Sequence, residues 1–319
     1  MLWFKHPDAV RPNLLLITYL MLAYPLALDG MASPLWFTPS LLLLVNVLVL
    51  GAYLLHDCLH NNVFVSPAGN ARLGTVLAWL VGAVYSPYAV LRDKHFRHHI
   101  ERADILAVNY QQTLLRHPLL DRCVQWATCM HLPAVDVLLQ WLELLAPFYL
   151  PQRRHLRSRT LCIFATRIGL FSLLYFVSPL AAAGYVAAYL LFLWVLGFMD
   201  AFQHTYDVHY HLLGPQPSPA RDRSYEEQNT YSNLLSSRFP LVNLLVLNFC
   251  YHNVHHQKPS EPWYRLPALH NKRYPHGCDQ LVPLSKQWNN FCRFRTDRIH
   301  PAGGDRLTGA DGVSFLVGI

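Results

Sequence analysis

The chain has 319 residues, 53% of them hydrophobic and only 14% charged, with a formal net charge of +7. A soluble domain carries about 25% charged residues, so this composition excludes an ordinary soluble globule and points to an integral membrane protein with some mass outside the bilayer. On such a chain the positive charge reads as topology signal and contact with anionic lipid. No basic stripe interleaved with aromatics favours a nucleic-acid partner.

Residues 13–28 form a short uncharged run and a candidate first span, to about residue 30. "DGMASP" follows as a tight turn, and Leu35 to Leu55 is then uncharged for 21 residues, long enough to cross a bilayer as a helix. These two segments read as a helical hairpin. Leu73 to Val90 is uncharged but carries Gly74, Gly82, Ser86 and Pro87. It reads as an interfacial or half-inserted element, with a full span as the alternative. After the arginine-rich "PQRRHLRSRT", Thr160 to Met199 contains one charge, Arg167. That length of helix is roughly 60 Å, two spans of about 30 Å, and Ser178-Pro179 marks the turn between spans at about 160–178 and 180–200. From about residue 285 the chain turns charged and Gly-containing, which reads as an extension with a loose end. The whole, 1–319, reads as one integral unit.

Four spans put both termini on one side, together with segments 1–12, 56–160 and 200–319, which hold nearly every Lys and Arg. The positive-inside rule makes that side cytoplasmic. Cleavage of the first span as a signal peptide would leave an odd number of spans. Seven scattered cysteines without a C-x-x-C pair fit a reducing compartment.

Histidine is the outlier, at 18 residues. Three clusters stand out: "HDCLH" with His56 and His60, "HFRHH" with His95, His98 and His99, and "HNVHH" with His252, His255 and His256. Spacings of three and four put side chains on one helix face, and neutral imidazole binds zinc, copper and iron. Eight ligands exceed the four of one structural zinc, so they fit a two-metal site. With no carboxylate-rich motif, iron held by imidazoles is the reading, although intrinsic affinity favours copper or zinc. A metal or haem carrier would place its histidines within the spans. A zinc peptidase would use H-E-x-x-H, whereas this chain has H-D-x-x-H and too many further histidines.

The order H-x-x-x-H, H-x-x-H-H, H-x-x-H-H resembles the membrane fatty acid desaturase superfamily of non-haem di-iron enzymes, over about His56 to Pro267. "QHTYD" at Gln203–Asp207 is similar to that family's element before the last box, and "HHQKPSEPWYRLP" to its Pro-rich tail. The resemblance implies four spans in two hairpins under a cytoplasmic helical cap, two iron ions, dioxygen as oxidant and a lipid or fatty acyl substrate. It also implies a separate electron donor of ferredoxin or cytochrome b5 type. The eight box histidines become ligands, with His204 as the ninth.

Several neighbours are candidates for supporting roles. The resemblance also implies that Asp200, four before His204, and Asn248, four before His252, are candidates for a further metal ligand through water, with a helix-end residue bonding backbone as the alternative. Asp57, Asp93, Glu101 and Asp104 lie beside ligands and are candidates to accept the second imidazole N–H. His209 and His211 read as surface loop. Unactivated C–H bonds resist acid–base catalysis, so the expected chemistry is metal-based oxidation that inserts a double bond in an acyl chain. A hydroxylase, a carotenoid oxygenase or a fatty acid decarboxylase forming a terminal alkene are alternatives on the same scaffold.

Overall fold

The computed structural model describes residues 3–206, 209–214, 221–297 and 299–300. Asp207 and the tail beyond residue 300 lie outside the described residues. Among the described residues four helices are long and apolar enough to cross a membrane: Pro7–Gly30, Phe37–Leu59, Pro151–Val177 and Pro179–Asp200. Their regular α-helical parts are α1 (Val10–Gly30), α2 (Phe37–Leu59), α8 (Arg157–Val177) and α9 (Pro179–Asp200). Ser178 starts α9 as its cap, its hydroxyl accepting from the Ala181 N–H at 3.1 Å, with Pro179 at the first helical position.

The centre of the fold is α2. It packs against α1, α9 and α3 (Pro67–Val81), and nearly every residue from Leu44 to Leu59 is buried. Gly51 makes the α3 contact possible, since a Cβ there would stand 3.0 Å from Leu80 and Val81. The outer helices instead present apolar side chains outward, Leu15, Met21 and Leu22 on α1 and Leu170, Leu173 and Phe176 on α8. On helices of this length such surfaces are what a bilayer would cover.

The segment 73–90 is not one helix. The α3 helix stops at Gly82, whose φ of +86° only glycine adopts without strain. A 3-10 turn follows at Ala83–Tyr85, and α4 (Tyr88–Glu101) then starts in a new direction. The 15 residues of α3 rise only about 22 Å, which suits the half-inserted reading and not the full span.

The remaining elements are α5 (Tyr110–Arg116), α6 (Pro118–Cys129), α7 (Ala134–Tyr149), α10 (Arg223–Gln228), α11 (His252–Gln257), α12 (Leu266–Arg273) and α13 (Leu284–Phe294). One expectation changes here. The described residues are not purely helical: β1 (Asp104–Leu106) and β2 (His209–His211) pair in parallel, so His209 and His211 are ladder residues and not surface loop. The backbone after the second histidine box is extended, and these residues give its polar groups partners. The segment from residue 285 opens with α13, which packs Trp288 and Phe291 at steep angles against Trp194 and Phe198 of α9, and the loose end expected of it lies outside the described residues.

The polarity of α7 is reversed relative to a soluble helix. Its exposed face carries Trp141, Leu145 and Phe148. Asp136, Gln140 and Glu143, spaced four and three, turn inward and line a cavity against α9.

Candidate metal centre

The three boxes meet above the ends of α2 and α9. His56 lies in the last turn of α2, and His60 caps it. The α4 helix carries the second box and ends at Arg102, a left-handed residue with φ +51°. That turn folds the chain back so that the Ala103 carbonyl accepts from His98 Nδ1 at 2.8 Å. The third box sits on α11, six residues long and too short to persist alone. Two consecutive left-handed residues, Leu247 and Asn248, aim it into the fold.

All nine histidines of the expected set come together, each at most 9% exposed. They fall into two groups, His56, His60, His95, His99 and His255 in one and His98, His204, His252 and His256 in the other. Within each group the ligand nitrogens lie within 4.8 Å of one another. The H-x-x-H-H boxes were expected to converge as units, but each one divides. The i, i+4 pair of a box goes to one group and the middle histidine to the other, because positions three and four along a helix differ by about 100° in direction. The rings of His99 and His256 stack at 4.1 Å and join the groups.

The spacing fits metal ions. His98 commits the one N–H of a neutral ring to Ala103, so its Nε2 carries a bare lone pair, yet it stands 3.1 Å from His204 Nε2. His204 Nε2 is in turn 2.8 Å from His252 Nε2. In the other group His95 Nε2 lies 2.7 Å from His60 Nε2 and 3.0 Å from His99 Nε2. Ligand nitrogens about 2.1 Å from one cation stand about 3 Å apart at right angles. Both nitrogens of His56, and Nε2 of His255 and His256, are buried with no hydrogen-bond partner among the described residues. Such atoms are costly without a ligand. Burial also keeps the imidazoles neutral. It pulls His255 down to about 3 and His98 to about 4, the Ala103 bond opposing the fall at His98 and Lys94 adding to it.

A carboxylate outside the sequence candidates supports one of the imidazoles. Glu226 on α10, which no motif flags, accepts from His256 Nδ1 at 3.0 Å and pairs with Arg102 at 3.1 Å. Burial raises its carboxyl, and Arg102 works against that. A carboxylate on a ligating imidazole fixes the ring and its tautomer. Thr230 Oγ1 lies 3.4 Å from His204 Nδ1. Glu101 pairs instead with Arg97, 2.8 Å away, and Asp93 is exposed while Asp104 is buried at the start of β1. Asp57 accepts the Trp263 backbone N–H at 3.1 Å, while the Trp263 indole donates to Asn13. The Pro-rich tail is thereby fastened to α2 and α1. Asn248 donates to the Trp263 carbonyl at 3.3 Å.

Asp200 joins neither histidine group. It lines a cavity that touches both, with His56, His95, His98, His204 and His252 in its wall. Lys94, beside His95 and 9% exposed, lines the same cavity. Burial lowers its ammonium pKa, and the charges of Glu143 and Asp200 oppose that.

Comparison with curated proteins gives no match. The family model described as fatty acid desaturase matches residues 32–287, which includes every histidine of both groups. A matched region of that extent, the four apolar helices and the paired histidine groups agree: the chain belongs to the fatty acid desaturase family.

Proposed function

We propose that the protein is a membrane-bound di-iron oxidase that uses dioxygen and external electrons to insert a double bond in a fatty acyl chain. The observation that carries this reading is the division of nine buried imidazoles into two adjoining groups. His56, His60, His95, His99 and His255 would hold one iron, and His98, His204, His252 and His256 the other. When bound, the irons supply the oxidising power for C–H cleavage: two hydrogens leave the chain, one dioxygen, two electrons and two protons are consumed, and two waters form. The protein's part is to hold the imidazoles through Ala103, Glu226 and Thr230, to keep bulk water out, and to admit a chain beside them.

The reading takes its electrons from a donor of ferredoxin or cytochrome b5 type, as the family resemblance implies. The distribution of Lys and Arg supports a centre on the cytoplasmic face. Hydroxylation, carotenoid oxygenation and decarboxylation to a terminal alkene use the same scaffold, and the placement of the chain decides among them.

Gas chromatography of lipids and headspace hydrocarbons from expressing cells, beside cells carrying His256→Ala, is the direct test. New unsaturated acyl chains are expected only with the intact centre, and purified protein should hold two irons. Turnover under strict anaerobiosis, or a single zinc per chain, would overturn the reading.

A further inference from the structure

Two cavities meet beside the histidine groups. One touches the imidazoles, and the other runs between α7 and α9. Three residues line both: Lys94, Asp200 and Leu196. The junction is therefore charged at the place where a substrate comes within reach of the metals. A chain oxidised in its middle would press methylenes against a buried ammonium and a carboxylate, which costs several-fold more binding than an apolar wall would.

From the junction the second cavity follows α9 back through Leu193 and Phe192 and reaches Ala52 of α2 and Val81 of α3. Phe192 stands about 12 Å along the helix from Asp200, a length that takes on the order of ten methylenes at about 1.25 Å of advance per zigzag C–C bond. On the opposite wall Gln140 bonds the Tyr189 hydroxyl at 3.0 Å, and Glu143 bonds Ser86 and pairs with Arg153 at 3.7 Å. Lys94 is the cation among the lining residues of either cavity next to the imidazoles.

We propose that this junction is the seat of the substrate's acyl carbonyl oxygen, with Lys94 as the hydrogen-bond donor and Asp200 holding the local charge in balance. The tail then lies along Leu193, Phe192 and Ala52. The C–H bonds that meet the metal centre are those within a few bonds of the acyl carbon, not those at mid-chain. Lys94 is a positioning and specificity-determining residue. This inference rests on the reading of the protein as an acyl-chain oxidase, and it names the end of the substrate that is recognised. A free acid and an ester both offer the oxygen, and the source is left to the experiment.

Iron-loaded protein with reductant and donor is given short, medium and long saturated acids, their methyl esters and the matching alkanes. The modified carbon is located by mass spectrometry. Modification at one fixed, low position counted from the acyl carbon, at every chain length, is the expected result, with alkanes inert. Acids reacting without esters would identify the free carboxyl as the source, and the reverse the esterified carbonyl. Oxidation at mid-chain, counting from the methyl end, or equal attack on alkanes would overturn the proposal. Lys94→Met should raise KM by about tenfold or more, the size of a lost charge-assisted hydrogen bond, and scatter the position, while Lys94→Arg retains it. An unchanged KM and position in Lys94→Met would also overturn it. If Lys94→Met fails to fold, the positions found with the natural protein still decide. If no acyl compound is oxidised at all, the functional reading fails. Displacement of a fluorescent fatty acid by acids, esters and alkanes then tests the seat by itself, and equal competition by alkanes would refute it.

Discussion

His204 shows how much one imidazole carries. Its Nε2 lies between those of His98 and His252, at 3.1 and 2.8 Å, so it is central to the four-histidine group. His204→Ala should take iron toward one per chain and abolish turnover, whereas His211→Ala, on the ladder strand β2, should keep both; mass-spectrometric metal analysis reads the difference. Glu226 acts one step out. Removing the carboxylate frees the His256 ring to turn, and partners of this kind are worth about 10–100-fold in metal affinity. Glu226→Ala should therefore weaken metal binding by that order in chelator competition, and Glu226→Gln, which keeps an acceptor oxygen, should recover part of it. The signal for His204 was in the sequence, as a histidine directly after the fourth span. Glu226 gave none, because the contact joins positions 30 residues apart through a fold that no spacing rule encodes.

Among the elements, the break between α3 and α4 sets where the second box stands. Gly82 holds the left-handed turn, and a Cβ there would collide with the Tyr189 hydroxyl. Gly82→Ala should destabilise the protein by about 2 kcal/mol or more, from backbone strain plus the collision. A thermal melt in detergent reads the loss, and Tyr189→Phe in the same chain should return part of it. Gly74 serves the same joint, lying under the Tyr88 ring whose hydroxyl donates to the Cys58 carbonyl at 2.6 Å. The uncharged run with glycines and a proline was legible as an element that does not simply span. The direction α4 takes after the break was not, because it depends on Tyr88 and Tyr189 reaching neighbouring helices.

For the whole molecule, the buried imidazoles couple folding to pH. The His98 pKa falls from its ordinary 6.5 to about 4 in the folded chain, and His255 falls to about 3. Above pH 6.5 neither state is charged and the burial is harmless. As pH falls below that value the unfolded chain takes up protons that the folded one refuses, so stability drops through about 4 and on toward 3. Chelator-treated protein should accordingly melt at progressively lower temperature below pH 6.5, and a flat melting profile would contradict this. Topology is the second test at this scale. Reporter fusions after Gly30 and Ser178 should report the outside and a fusion at the C-terminus the cytoplasm; an external C-terminus would break the four-span arrangement.

The sequence by itself determined what local chemistry can specify: four apolar lengths suited to a bilayer, three histidine boxes beside them, and a ninth histidine directly after the fourth of those lengths. Hydrophobic length and i, i+3, i+4 spacing are properties of a single segment, so they can be read along the chain. Which imidazole shares a metal group with which could only be decided in three dimensions. His95 and His98 are three residues apart and belong to different groups, while His56 and His255 are separated by most of the chain and belong to one. The same holds for the ladder that took in His209 and His211, for α13 packing on α9, and for the Lys94–Asp200 junction. Each depends on contacts between segments far apart along the chain. Burial, not motif, gives those side chains their neighbours.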